Sequence, residues 1–332
     1  MKFLVTGAAG FIGMHVAKRL LREGHEVIGL DNLNPYSDPA LKAYRLAQLQ
    51  AYDLFSFVEL DLTRRECIAE LFQREHFQRV IHLAAQAGVR HSLNAPFDYV
   101  DSNLVGMMTV LEGCRHHQVE HLVFASSSSV YGMNSAIPFS ETDQVDHPVS
   151  LYAATKKSCE LMAHSYAHLY GLPATGLRFF TVYGPGGRPD MAPWIFTEAI
   201  INNQPIKVFN RGEMERDFTY IDDVVECVNR IQQCVPVRHM QDGAMTQAPY
   251  EIYNIGNHQP IELKRFVTAI ERSCGQIAEK IYLDMQPGDV LKTYAETSRL
   301  KAAIGYQPHT SIEQGVGQFV GWYRDVWLSR DR

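Results

Sequence analysis

The chain has 332 residues, enough for one large or two medium domains around a substantial core. Its 31 basic and 37 acidic side chains give a formal charge of −6, which leaves no electrostatic footprint for nucleic acid or an anionic membrane. No apolar run approaches the roughly 18 residues of a membrane span, and the first strand starts too close to the N-terminus to admit a signal peptide, so a cytoplasmic protein is expected.

The opening stretch K-F-L-V-T-G-A-A-G-F-I-G-M-H-V-A-K-R-L-L reads as a short buried strand from Phe3 to Thr6, a glycine-rich turn and an amphipathic helix. Gly7, Gly10 and Gly13 are spaced for a tight turn, close approach to a pyrophosphate, and packing of the helix on the strand. The helix N-terminus then faces the phosphates. A second strand, E-V-I-G-L-D, ends in Asp31, where a carboxylate accepts hydrogen bonds from an adenosine ribose. Its charge repels a 2′-phosphate, which favours NAD over NADP.

A polar stretch with Pro35 and Pro39 leads into a helix around Leu41 to Gln50. The strand F-S-F-V-E-L-D-L ends at Asp61, a helix follows near Arg64 to Arg74, and then comes the strand R-V-I-H-L-A-A. A long helix from about Pro96 to His117 precedes the strand H-L-V-F-A-S-S; a helix starting near Leu151 runs to about Tyr170, followed by the strand A-T-G-L-R-F-F. Strands alternating with helices in this way predict a Rossmann-type α/β fold, a doubly wound parallel sheet, over residues 1–180. Beyond Gly184, proline and glycine crowd the chain, and residues 181–332 are expected to form a smaller mixed α/β lobe partly interwoven with the first. Six scattered cysteines without C-x-x-C spacing read as reduced packing residues, and the histidines lack ligand spacing, so no metal site is expected.

Two segments carry chemistry. In F-A-S-S-S-S-V-Y-G a run of hydroxyls follows an apolar strand, and the carboxyl ends of strands are where an open α/β sheet binds ligands. In S-L-Y-A-A-T-K, Tyr152 and Lys156 stand at i and i+4 and share a helix face. A free tyrosine titrates near ~10; a neighbouring ammonium favours the phenolate and brings the residue toward the range of efficient proton transfer.

Taken together, G-A-A-G-F-I-G, Asp31, Asp61-Leu62, H-L-A-A, Asn103-x-x-Gly106, S-S-S-V-Y-G, Y-A-A-T-K and R-D-F-T-Y-I-D-D resemble the extended short-chain dehydrogenase/reductases over essentially the whole chain, specifically the nucleotide-sugar 4-epimerases. H-L-A-A-Q-A-G-V-R, G-G-R-P-D-M-A and M-Q-P-G-D-V are similar to the UDP-glucuronate 4-epimerase subgroup.

The resemblance implies a catalytic set of Ser127, Tyr152 and Lys156. It implies NAD contacts from Gly7, Gly10, Phe11, Ile12, Gly13, Asp31 and Asn32, with Asp61 and Leu62 at the adenine and Leu83, Ala84, Gln86 and Asn103 lining the rest of the cleft. Lys156 also holds the nicotinamide ribose. The uridine diphosphate falls to Asp190, Met191, Lys207, Phe209 and Arg216. Gln286 stands where many 4-epimerases have an arginine, so Arg216 and Arg188 are left to supply the cationic contacts.

Decarboxylases and dehydratases of this kind carry an acid two residues before the tyrosine of V-Y-G; here that residue is Ser129, so the base for C5 chemistry is missing. Ser127, Ser128, Ser129 and Thr181 then form an uncharged pocket suited to a uronic acid carboxylate. A UDP-sugar substrate and a 4-keto intermediate follow from the resemblance. So does a homodimer, paired through the helices at about Pro96–His117 and Leu151–Tyr170.

Overall fold

The computed structural model describes residues 1–241, 244–285 and 291–331. Six strands follow the chain order expected: β1 (Lys2–Thr6), β2 (Glu26–Asp31), β3 (Phe55–Glu59), β4 (Arg79–His82), β5 (His121–Ser127) and β6 (Ala174–Phe179). They pair in parallel in the spatial order β3-β2-β1-β4-β5-β6. The strand order reverses between β1 and β4, which opens a crevice beyond their carboxyl ends, where such sheets bind ligands.

β1 is apolar throughout because both of its faces are covered. Phe3 and Val5 enter one core cluster and Leu4 the other, the two-residue period of a strand. Helix α1 (Phe11–Arg22) lays Phe11, Met14, Ala17 and Leu21 into the first cluster, along with Leu41 and Leu49 of α2 (Pro39–Gln50). Helix α3 (Arg65–Glu75) contributes Ile68, Leu71 and Phe72 to the second.

Three details differ from the sequence reading. A seventh parallel strand, Tyr250–Ile255, returns from the C-terminal half and pairs with β6 along its whole length. Its Y-E-I-Y-N-I lies in a proline- and glycine-rich part of the chain, where local pattern gives no hint of a distant partner. The helix expected at about Pro96–His117 is built in stages. It begins as Pro96–Tyr99, widens to a π-helical turn over Val100–Val105, and continues as α-helix over Gly106–His116. β3 stops at Glu59, because the Asp61 carboxylate turns back to accept from the N–H and hydroxyl of Thr63, at 2.8 and 2.6 Å.

In the C-terminal half, Glu215–Tyr220 pairs parallel with Thr181–Tyr183 and antiparallel with Pro260–Glu262, and Ile206–Phe209 pairs with Lys280–Leu283. The amphipathic helix Ile221–Ile231 packs on α1. Among the described residues no helix is long and apolar enough to cross a membrane.

Three histidines are held neutral inside the protein. Burial lowers His15 and His121 to about 4, and burial together with the charge of Lys156 lowers His82 to about 3. Each gains a proton near ~6.5 once unfolded. Above that pH they cost nothing; as pH falls toward the folded values, only the unfolded chain binds the protons. Stability should therefore decline from about pH 6.5 downward, by up to about 1.4 kcal/mol per pH unit for each histidine. Urea unfolding at a series of pH values checks this. A stability unchanged between about pH 7 and 5 would contradict it.

Candidate active site

Gly7, at φ +72°, turns the chain sharply out of β1, and a Cβ at Gly13 would lie 2.0 Å from the Gly7 carbonyl oxygen. Gly13 thus lets α1 dock on the loop itself. The first turn of α1 carries no acidic residue and Gly10 offers no side-chain cap, so its amide end is left for an anion. Thr6 Oγ1 bonds His82 Nδ1 at 2.8 Å and accepts from the Leu83 and Ala84 N–H groups at 3.2 and 3.1 Å. It ties the ends of β1 and β4 together across the crevice. Phe11 is buried and Ile12 packs against the same core.

Asp31 lies at the end of β2, buried. Its carboxylate accepts from the Ala9 N–H at 3.2 Å and the Leu33 N–H at 2.9 Å, and pairs with Lys42 Nζ at 3.0 Å. Lys42 partly offsets the charge that the sequence reading set against a 2′-phosphate. Asn32 donates to Asp61 at 2.7 Å; burial pushes the Asp61 carboxyl up, but hydrogen bonds from Thr63 and Asn32 outweigh it and hold it low. Leu62 is buried in the core, its carbonyl accepting from Thr109 Oγ1 at 2.8 Å.

Gln86 and Asn103 separate in role. Asn103 accepts from the Gln86 N–H at 2.8 Å and donates to the Gln86 carbonyl at 3.1 Å and to Thr155 Oγ1 at 3.0 Å. Both of its amide hydrogens are used, so it pins the 84–90 loop to the helix Leu151–Tyr170. Gln86 Nε2, in contrast, is buried with no protein partner, as a donor awaiting a ligand acceptor would be. These features fit a dinucleotide: an uncapped helix N-terminus for its pyrophosphate, Asp31 for a ribose, and an unsatisfied donor in the crevice.

The helix Leu151–Tyr170 starts where Ser150 Oγ accepts from the Ala153 N–H at 3.1 Å and ends at Gly171, φ +69°. Lys156 is buried on it and donates from Nζ to the Ala125 carbonyl at 2.9 Å, two residues before Ser127 on β5. Tyr152, one turn earlier on the same face, is half-buried and meets the Tyr99 ring edge-on at 6.1 Å. Ser127 accepts from the Ser129 N–H and donates to Ser129 Oγ, both at 3.1 Å, and so shapes the helical turn Ser128–Tyr131. The first hydroxyl of the run, Ser126, points the other way, into the core, and donates to Glu160 at 2.6 Å.

Thr181 is half-buried two residues past β6. Arg188 pairs with Asp190 through Nε at 3.0 Å and Nη2 at 2.5 Å, near Gly88 and the Tyr36 hydroxyl, with its charge acting on Tyr99 and interacting with Tyr152. The structure thus places Arg188 on the Tyr152 side of the site. Met191 caps the helix Ala192–Ile201. Lys207, exposed, and Phe209, half-buried, sit on Ile206–Phe209, and Arg216 donates to the Glu215 and Leu291 carbonyls at 2.9 and 3.3 Å. These three stand on strands of the C-terminal half, in sheets separate from the seven-stranded sheet on which the Tyr152 helix packs. Gln286 lies outside the described residues. Among the described residues no group of three His, Cys, Asp or Glu side chains is placed to hold a metal ion.

A model of the NAD dependent epimerase/dehydratase family matches residues 3–256. The chain belongs to that family. Within it, this epimerase/dehydratase member is 49% identical over 330 residues to a probable UDP-glucuronate 4-epimerase of Rhizobium meliloti, covering 97% of each chain. It superposes with a TM-score of 0.88 on UDP-glucuronic acid 4-epimerase from Bacillus cereus, solved with UDP-glucuronic acid and NAD. That protein is 32% identical and is covered entirely, against 98% of this chain. UDP-glucose 4-epimerase from Thermotoga maritima, solved with UDP-glucose, gives a TM-score of 0.86 at 30% identity, covering 98% of this chain and all of that one.

Several residues at the site were missed from sequence: His15, Tyr36, Lys42, Arg45, Tyr99, Glu160 and Arg178. Lys42 and Arg45 stand three apart on α2, but only the fold shows that they face inward. Glu160 and Arg178 form a bidentate pair, both bonds 2.9 Å, with each side chain 3% exposed. Burial raises the Glu160 carboxyl, yet the Arg178 and Ser126 hydrogen bonds override it and keep the group ionised. Removing the Glu160 carboxylate leaves the Arg178 guanidinium buried without its counter-charge. Glu160→Gln should therefore cost roughly 3–5 kcal/mol in chemical unfolding, and the double variant Glu160→Leu/Arg178→Met should be closer to the original. A single-variant loss under about 1 kcal/mol would show the pair to be dispensable.

Proposed function

We propose that this chain is a UDP-glucuronate 4-epimerase, which inverts C4 of a UDP-linked uronic acid and interconverts UDP-glucuronate and UDP-galacturonate. The observation that carries the reading is the shelf at Ser127–Ser129, which meets the Tyr152–Lys156 helix with hydroxyls only and no carboxylate to act on C5. The likeness to UDP-glucuronate 4-epimerases over the whole chain supports it. Residues 1–180 form the cofactor lobe in this proposal and 181–332 the nucleotide-sugar lobe, with Tyr250–Ile255 crossing back into the first.

Bound NAD supplies a hydride acceptor and donor at C4 and is regenerated in each turnover. Tyr152, as phenolate, takes the 4-hydroxyl proton and returns it on the opposite face of the sugar. Ser127 hydrogen-bonds the 4-oxygen, and Lys156, anchored on Ala125, sets the positive field beside the phenol. Between the two transfers the 4-keto sugar turns over about its diphosphate, which Arg216 and Arg188 help to hold. A 4-keto uronate is a β-keto acid and loses carbon dioxide when the bond from C5 to the carboxylate aligns with the carbonyl π system. Ser127, Ser128, Ser129 and Thr181 restrain the carboxylate away from that alignment.

The proposed protein is a cytoplasmic homodimer. Its six cysteines are unpaired, as suits a reducing compartment. Leu93, Phe97 and Val100 are exposed along the segment leading into Gly106–His116, Met108 on that helix, and Leu161 and Leu169 on the helix Leu151–Tyr170, a concentration of apolar surface that a second copy would cover.

Incubation with UDP-glucuronate, with products separated by chromatography, should give UDP-galacturonate without added NAD and without UDP-xylose. Faster turnover of UDP-glucose than of UDP-glucuronate would overturn the uronate reading in favour of a neutral-sugar epimerase. Tyr152→Phe should retain the fold and lose roughly 10²-fold or more in turnover; near-normal activity would remove Tyr152 from its role. Light scattering at micromolar concentration should give twice the chain mass, and a monomeric mass would contradict the dimer.

A further inference from the structure

The segment Pro185–Gly187, which leads directly to Arg188, hangs on side chains from the cofactor end of the molecule. Its three carbonyls are all bound. Arg45, on α2, donates to the Gly186 oxygen from Nε at 3.1 Å and Nη2 at 2.8 Å, and to the Gly187 oxygen from Nη2 at 3.1 Å. Its remaining arm, Nη1, reaches the Ala9 carbonyl in the glycine-rich loop at 3.2 Å. His15, on α1, bonds the Pro185 oxygen through Nε2 at 2.8 Å. A carbonyl only accepts, so this ring nitrogen carries the proton, and burial keeps the ring neutral at about 4.

Arg45 is 1% exposed, and these hydrogen bonds go to carbonyls, not to a carboxylate. Burial pulls its guanidinium down to about 10, with Asp31 opposing that pull from a distance. A buried cation held by neutral dipoles is a costly way to fix a turn that Gly187 N–H to Gly184 O, at 3.0 Å, already closes. What the planar fork adds is a simultaneous grip on two separate loops, which an ammonium cannot reproduce. One of these loops faces the cofactor crevice; the other carries Arg188 to the Tyr36, Gly88 and Tyr99 side of the site.

We propose that Arg45, assisted by His15, is a positioning residue that locks the Ala9 loop to the Pro185–Gly187 turn and thereby sets the Arg188 guanidinium relative to Tyr152. The geometry of the cofactor loop then determines that of the sugar pocket. The inference rests on the epimerase reading for its substrate but not for its geometry.

The test is a double-variant cycle on protein purified with its cofactor. Arg45→Lys keeps the charge and loses the fork. It should lower kcat/KM for UDP-glucuronate roughly 10-fold or more, the scale of a small displacement at a reacting centre, with the cofactor still bound and the melting temperature close to the original. In an Arg188→Ala background the same substitution should cost less than about 2-fold, because the residue it positions is gone. Affinity for UDP-glucuronate by calorimetry should show the same non-additivity. His15→Leu, which breaks only the Pro185 bond, should show a weaker version of both effects and carries the test if the Arg45 variants do not fold. Independent, multiplicative losses in the double variants, or unaltered kinetics in both Arg45→Lys and His15→Leu, would overturn the proposal. If the unsubstituted protein fails to turn over UDP-glucuronate, the epimerase reading is what fails. The cycle is then decided on calorimetric affinity for whichever UDP-sugar binds.

Discussion

The buried pair of Glu160 and Arg178 is the contact on which the rest of the site depends. Glu160 lies one turn beyond Lys156 on the helix that also carries Tyr152, and Arg178 lies on β6. Their two bonds, with that from Ser126 on β5, fasten the helix to both strands at once. Ser127 is the next residue along β5, so the hydroxyl shelf and the Tyr152–Lys156 face are set by a single network. A charge pair out of water gains little net stability; what it contributes here is one register of helix on sheet.

That network continues outward. The Arg178 guanidinium lies 4.9 Å from the Tyr131 ring centre and donates to its hydroxyl, which in turn donates to Asn254 at 2.7 Å. Asn254 belongs to the strand that returns from the C-terminal half, and its amide donates to the carbonyls of Phe139 and Glu296. The β5 turn, β6, the seventh strand and the segment near residue 296 are therefore joined by satisfied polar groups in a closely packed interior. Such a network is rigid because leaving any one member without a partner costs more than the bond itself contributes.

At the other end of the sheet the constraint is steric and electrostatic. The strand order reverses between β1 and β4, and the glycine-rich loop fills the opening with backbone, leaving the uncapped end of α1 directed outward. Cations come from α2: Lys42 partners Asp31, and Arg45 reaches under the loop to the Pro185–Gly187 turn. In both halves of the site, the residues that line the crevice are held by a layer of buried charge behind them.

The sequence by itself determined the alternation of strands and helices, the glycine loop and the Tyr152–Lys156 face. Each is a local pattern: a two-residue or 3.6-residue period, a turn that glycine permits, or an i, i+4 spacing. Motif resemblance extended this to the epimerase family. Only the tertiary structure decided which polar residues face inward. Ser126 and Ser127 are neighbours of the same type, yet strand alternation sends one to Glu160 and the other to the Ser129 amide and hydroxyl. Asn103 has a motif position, but only the fold shows its amide hydrogens bonded to the Gln86 carbonyl and Thr155. Tyr250–Ile255 joins the sheet next to residues more than seventy positions earlier, and Arg45 binds carbonyls 141 and 142 positions later. Pairings at that range depend on how the chain closes on itself, and no local periodicity encodes them.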